Sequence, residues 1–246
     1  MNLLVCISKT PETTAKINFT DGGKAFDSNG VNYIMNPYDE WYALVRAVEL
    51  KEENGGEVTI FHVGESSSDI IIRKALSIGG DKAVRVNADP KDSFYVATQI
   101  ANYCKENPQD IIFFGKETID YNGAEVGSIV SEMLDTPFVS FASKLDKKDD
   151  VFAVERDIEG GVQVVEVATP FCISAAKGLA EQRIPNMKSI MMSKRKPVDV
   201  IEPADVAQKV EIVHYETPPE KSGVKLFDIE NLEELVKALR DEEKVI

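Results

Sequence analysis

Four short apolar runs, LLVCIS (3–8), VTIFHV (58–63), AVRV (83–86) and DIIFF (110–114), alternate with longer segments whose apolar residues recur at helical spacing. Strands that are apolar throughout, and separated by helices, read as a parallel sheet covered on both faces. The fold class implied is α/β, a mostly parallel sheet flanked by helices. A chain of 246 residues suffices for one large domain of this kind, or one with an appendage.

The segments between the runs carry helix signals. In NPYDEWYALVRAVELKEENGG (36–56), Asn36 suits a cap and Pro37 the first turn. Trp41, Leu44, Val45, Val48 and Leu50 mark the inner face, and Gly55 and Gly56 the end. SSSDIIIRKALSIGG (66–80) and DSFYVATQIANYCKENP (92–108) give two further helices, stopped by paired glycines and by Pro108. After Pro137 the texture changes. FVSFASKLDKKDDVFAVERDIEGGVQVVEVATPFCISAA (138–176) alternates in polarity, and DKKDD and EGG read as hairpin turns, which predicts an antiparallel excursion. GLAEQRIPNMKSIMMSKRKP (178–197) lacks a clean period and reads as a long loop with a short helix. From about Val206 a polar, proline-containing stretch leads to a C-terminal helix whose stripe is Leu232, Leu235, Val236 and Leu239. The stripe must bury itself on this chain's own core or on another subunit. The expected organisation is a core over 1–205, including the loop 181–196, and an arm over 206–246.

Charge and composition exclude several functions. The formal charge of −14, with 42 acidic against 28 basic residues, disfavours a broad nucleic-acid face. No stretch approaches the roughly 20 apolar residues of a membrane helix, and MNLLVCISKTPE lacks the apolar core of a secretory signal. A cytoplasmic protein without membrane insertion is the expectation. Cys6, Cys104 and Cys172 are scattered through apolar patterns and read as small buried hydrophobes. Two histidines are too few for a typical zinc site, and His62 reads as a packed strand residue.

Ligands of open parallel sheets collect beyond the carboxyl ends of the strands. The segments there are CISKTPE (6–12), HVGESSSD (62–69) and FGKETIDYNGAEVG (114–127). A helix starting at Gly123 would aim free N–H groups at an anion, and Gly123, Ala124 and Gly127 would admit a ligand close to the main chain. The same glycines also fit a tight turn with close helix packing. Neither Gly-x-Gly-x-x-Gly nor Gly-x-x-x-x-Gly-Lys-Ser/Thr is present. Asp120 and Glu125 have no basic or nucleophilic neighbour in sequence and read as loop-capping groups, so no catalytic residue is assigned.

NPYDE with its following helix, GKETID…GAEVG, VERDIEGG and GLAEQR…IMMSKRKPVDV occur in this order. Together they resemble the small (beta) subunit of the electron-transfer flavoproteins, from Leu3 to the last helix. The resemblance implies a Rossmann-like domain in a heterodimer whose alpha subunit carries the redox-active FAD. The beta subunit would hold AMP, or a second FAD that takes electrons from NADH in the bifurcating members. Positions matching nucleotide contacts are Cys6, Asn36, Pro37, Tyr38, Asp39, Val63, Gly115, Lys116, Glu117, Thr118, Ile119, Asp120, Tyr121, Asn122, Gly123, Ala124, Glu125 and Val126. The chain departs from the family's polar pattern at Ala124, Glu125 and Val126. The loop 181–196 resembles the segment that docks on acyl-CoA or related dehydrogenases. Met187 matches its anchoring leucine, beside Ile184, Ile190 and Met191; burial of Met187, Met191 and Met192 as core is the alternative. The SKRKP cluster would steer an acidic partner or the alpha subunit, or simply be solvated. Outside the family, a stand-alone adenine-nucleotide-binding regulatory module fits the same sheet.

Overall fold

A computed structural model describes residues 1–90, 92–221 and 223–246. In chain order the elements are β1 Asn2–Cys6, β2 Lys9–Pro11, β3 Phe19–Thr20, β4 Ala25–Phe26, β5 Tyr33–Met35, α1 Asp39–Asn54, β6 Glu57–Val63, α2 Asp69–Ile78, β7 Lys82–Val86, α3 Ser93–Glu106, β8 Ile111–Gly115, α4 Val126–Leu134, β9 Phe138–Lys148, β10 Val151–Ile158, β11 Gly161–Val167, β12 Phe171–Ala175, α5 Met187–Ser193, β13 Val198–Ile201 and α6 Leu232–Lys237. They divide into a larger unit, residues 1–16 and 28–213, and a smaller one, residues 17–27 and 214–246.

In the larger unit, nine strands among the described residues form one sheet in the order β11-β10-β9-β12-β8-β1-β6-β7-β13. All four apolar runs are strands of this sheet, and β1 pairs in parallel with both β6 and β8. Side chains alternate between faces along each strand. Leu3 and Val5 of β1 join α1 and α2 in one core, with Leu44, Val48, Ile72 and Leu76. Leu4 and Cys6 join α3 and α4 in the other, with Ile100, Cys104 and Val130. Each fully buried leucine, isoleucine or phenylalanine contributes roughly 1.5–3 kcal/mol, so the two cores dominate stability.

The excursion predicted after Pro137 is present but shorter than the sequence texture implies. β10 pairs antiparallel with β9 and β11 across the two expected turns. β12, however, returns to the parallel sheet between β8 and β9. The reason is visible in FCISA, which is buried at every position and therefore does not alternate. β13, parallel to β7, extends the far edge and was not anticipated.

The start of α1 also differs from expectation. Asn36 does not cap it. The helix begins at Asp39, and Tyr38 precedes it at φ 64°, ψ −94°, close to the strained γ-turn region. Leu44, Val45, Val48 and Leu50 are buried as expected, while Trp41 is half-buried.

In the smaller unit, β3 and β4 form a hairpin. Phe19 stacks on Tyr215 with centroids 4.9 Å apart, and the Tyr215 N–H donates to the Gly23 carbonyl at 2.7 Å. A Cβ at Gly23 would lie 2.3 Å from the His214 ring, so only glycine permits this approach. Its C-terminal segment keeps much of its apolar surface uncovered, including Leu226, Ile229, Leu232 and Val236.

Candidate functional site

β1 sends the chain to α1 on one face of the sheet, whereas β8 sends it to α4 on the other. The two loops diverge and leave a crevice at the strands' carboxyl ends, the position where open α/β sheets take ligands. A cleft of about 280 Å³ opens there, lined by Pro37, Tyr38, Asp39, Tyr42, Lys116, Glu117, Ile119, Asn122 and Lys177.

Asn36 holds its walls together. The side chain is fully buried, and its amide donates to the Glu117 carbonyl at 2.9 Å while its oxygen accepts the Ile119 N–H at 3.0 Å. The Asn36 N–H in turn donates to the Ser8 carbonyl, tying in the loop after β1. Glu40 forms a second strut, because an oxygen of its buried carboxyl group accepts the Ser8 N–H at 2.6 Å. Burial pushes the Glu40 carboxyl up to about 8, against the pull of the Ser8 hydrogen bonds. Gly115 is required beside it, since a Cβ there would come within 2.7 Å of Glu40 Cγ and 3.1 Å of the Glu40 nitrogen.

The electrostatics of the cleft are mixed. Lys116 is committed to Glu117 at 3.0 Å, and burial raises the Asp39 carboxyl while Lys116 opposes it. Lys177 projects from the loop after β12 and makes no ion pair among the described residues. Tyr38, Tyr42, Pro37 and Ile119 supply the apolar part of its lining. This combination suits a small planar ligand bearing an anionic group.

The sequence-matched positions do not all meet. Pro37, Tyr38, Asp39, Lys116, Glu117, Ile119 and Asn122 line the cleft, and Asn36 supports it from behind. Cys6 and Val63 are buried core residues at the ends of β1 and β6 and are not among the lining residues, nor are Thr118, Asp120, Tyr121 or Gly123 to Val126. Helix α4 starts at Val126 rather than Gly123, because Asn122 and Ala124 adopt φ of 51° and 53°, outside helical geometry. Glu125 precedes the helix without capping it and is exposed, and Asp120 caps the Tyr121 N–H at 2.9 Å as a loop residue. Gly127 serves packing, since a Cβ there would meet the Phe138 ring at 3.0 Å. Tyr42 and Lys177 were missed; Tyr42 lies one turn beyond Tyr38, a spacing that could have revealed it.

His62 is a packed strand residue as expected. Its Nδ1 donates to the Ile7 carbonyl at 2.8 Å, and burial lowers its pKa to about 4. All three cysteines are buried free thiols.

A second feature lies in the loop 181–196. Asn186 and Ser189 form a reciprocal capping box that starts α5. Its apolar residues are not core, contrary to the buried alternative: Ile184 is 80% and Met187 73% exposed, with Met191 at 66% and Ile190 at 38%. The loop is nevertheless anchored at both ends. Arg183 makes a two-bond pair with Glu52, and its carbonyl accepts from the Trp41 indole. At the other end Arg73 donates to the Ser193 and Lys196 carbonyls, both at 2.7 Å, while Lys196 donates to the Leu76 and Gly80 carbonyls. Arg73 thus caps the end of α5, and Lys196, beyond α5, caps the end of α2. Within SKRKP, Lys194 and Arg195 are exposed, but Lys196 is taken up by α2.

The doubly covered, mostly parallel sheet, with a crevice at the divergence of β1 and β8, defines an α/β protein with the geometry at which open sheets take ligands. The electron transfer flavoprotein domain matches residues 24–206. The chain is 34% identical to the electron transfer flavoprotein subunit beta of Bacillus subtilis over the full length of both. It is 35% identical to that of Syntrophomonas wolfei over 93% of this chain and 90% of the relative, and 29% identical to the human protein over 98% and 97%. The chain belongs to the electron transfer flavoprotein family, as a beta subunit. None of its described helices is long and apolar enough to cross a membrane.

Proposed function

We propose that this beta subunit holds AMP in the cleft between the β1 and β8 loops and, paired with an alpha subunit that carries FAD, passes electrons from a dehydrogenase. The observation that carries the nucleotide assignment is the cleft itself. Its volume of about 280 Å³ lies just below the usual range of ligand pockets, roughly 300–1,000 Å³, and suits a mononucleotide more readily than a dinucleotide such as a second FAD. The residues fit that ligand. Tyr38 and Tyr42 contribute aromatic side chains to the lining, Lys177 offers a cation with no ion pair among the described residues, and the Asn36 clamp keeps both walls in place before binding. Glu125 faces solvent beside the α4 start and is not among the lining residues, so the cleft's own carboxyls are Asp39 and Glu117, the latter paired with Lys116, and Lys177 is the cation left for a phosphate. The nucleotide's role is structural. Flavin supplies one- and two-electron chemistry that no side chain here can perform.

The remaining assignments follow the exposed apolar surface. Segment 206–246 is proposed to pack on the alpha subunit, which would cover Leu226, Ile229, Leu232 and Val236. The loop 181–196 is proposed to dock on an acyl-CoA or related dehydrogenase through Ile184, Met187, Ile190 and Met191, and its two anchored ends reduce the ordering cost of that contact. No observation favours the regulatory-module reading over this one. Titration calorimetry of the purified subunit with AMP and with FAD tests the nucleotide assignment. Saturable AMP binding that Lys177→Gln weakens is expected; FAD bound in preference to AMP would replace it with the bifurcating type.

A further inference from the structure

Three Asn-Gly pairs occur in the chain, at 29–30, 54–55 and 122–123. An asparagine followed by glycine is chemically vulnerable because the next backbone nitrogen can attack the side-chain carbonyl, and glycine presents no Cβ to obstruct it. Two conditions decide whether a given pair reacts: the side-chain amide must be free to swing onto the backbone, and the attacking N–H must be unbonded. Asn54 fails both. Its amide donates to the Leu50 carbonyl at 3.0 Å, and the Gly55 N–H donates to Lys51 at 2.8 Å.

Asn122 meets both. Among the described residues neither its side-chain amide nor the Gly123 N–H has a hydrogen-bond partner, and its own N–H alone is held, by the Thr118 carbonyl at 3.0 Å. The residue is exposed, sits at φ 51°, and no atom lies within 4 Å of where a Gly123 Cβ would be. It also lines the cleft. We propose that Asn122 is a site of spontaneous deamidation whose product alters the cleft's affinity for anionic nucleotides. The Gly123 nitrogen bonds to Asn122 Cγ as the C–N bond to the amide nitrogen breaks. That nitrogen leaves as ammonia with the proton lost by Gly123. Water then opens the cyclic imide, giving aspartate or isoaspartate; nothing is oxidised or reduced.

The product places a new negative charge in a cleft that already contains Asp39 and Glu117, with Lys116 engaged by Glu117. A unit charge of that kind beside a phosphate lowers affinity about tenfold. A ligand seated against Asn122 restrains the loop, so nucleotide slows the reaction. The effect on nucleotide rests on the AMP assignment above; the reactivity of Asn122 does not.

The test is incubation of the full chain at mildly alkaline pH, with and without saturating AMP, followed by peptide mapping for the amide-to-acid mass change and for isoaspartate. The 122–123 peptide is expected to convert severalfold faster than the 54–55 peptide, and Gly123→Ala, which the open surroundings of Gly123 tolerate, is expected to slow it. Equal rates at the two pairs, or no effect of Gly123→Ala, would overturn the site. Conversion at Asn122 that AMP does not slow, in a protein that does not bind AMP, would uphold the site and overturn the nucleotide assignment. Asn122→Asp measures the affinity loss directly, and unchanged AMP affinity in that variant would refute the proposed consequence.

Discussion

Replacing Asn36 with alanine deletes both bonds that join the loop after β8 to the segment before α1, at 2.9 and 3.0 Å. The Glu117 carbonyl and Ile119 N–H are left without their partner. Each stranded polar group costs about 1–3 kcal/mol when water cannot replace the lost bond. Both residues are only partly buried, which puts each loss at the low end and the total near about 2 kcal/mol. For a chain of this size that corresponds to a fall in Tm of about 4–8 °C. Asn36→Asp separates the hydrogen-bond argument from lost packing. An aspartate still accepts from Ile119 but turns a carboxylate oxygen toward the Glu117 carbonyl, so it should destabilise at least as much as alanine despite nearly conserving volume. Urea unfolding gives the stability change, and AMP calorimetry reports whether the cleft wall has shifted. A stability within about 0.5 kcal/mol of the parent for both variants, with AMP affinity intact, would refute the clamp.

Further perturbations probe separate parts of the structure. Glu40 is protonated in the folded state up to about pH 8 but ionises near 4.5 when unfolded, so the native state holds the extra proton between those values. Stability therefore falls as pH climbs through that window, by at most about 1.4 kcal/mol per pH unit. Glu40→Gln should flatten this dependence and exceed the parent in stability at pH 9; parallel pH profiles would contradict the buried-carboxyl account. Lys177→Gln should weaken AMP binding about tenfold without moving the unfolding midpoint, and adenosine should bind both forms equally. The double change Ile184→Ala with Met187→Ala should slow electron transfer to the cognate dehydrogenase at least tenfold while leaving nucleotide content unchanged. Unaltered transfer would remove the loop from the docking surface.

The parallel strands were legible because burial on both faces leaves unbroken apolar runs, and the capped amphipathic segments between them could only be covering helices. β12 was misassigned to the antiparallel excursion because the alternating strands before it set the local texture, although FCISA itself does not alternate. β13 escaped notice because VDVI is a short edge strand with two exposed positions. At the cleft, the sequence points to loops that line it but not to the roles within them. Asn36 looked like a helix cap in sequence, yet its partners are Glu117 and Ile119, more than eighty residues away, and no local pattern reports such pairing. The same holds for Lys177, which reaches the cleft only because β12 lies beside β8. Exposure of Ile184 and Met187 could not be separated from burial, because an aperiodic apolar stretch serves a core or a docking surface equally well.

The most direct test is the nucleotide content of this subunit co-purified with its alpha partner, released by denaturation and resolved by chromatography. One AMP and one FAD per heterodimer, with the AMP content reduced in Asn36→Ala and Lys177→Gln and the FAD retained, is the expected result. A preparation carrying flavin but no adenine mononucleotide, or two flavins, would contradict a cleft built for AMP.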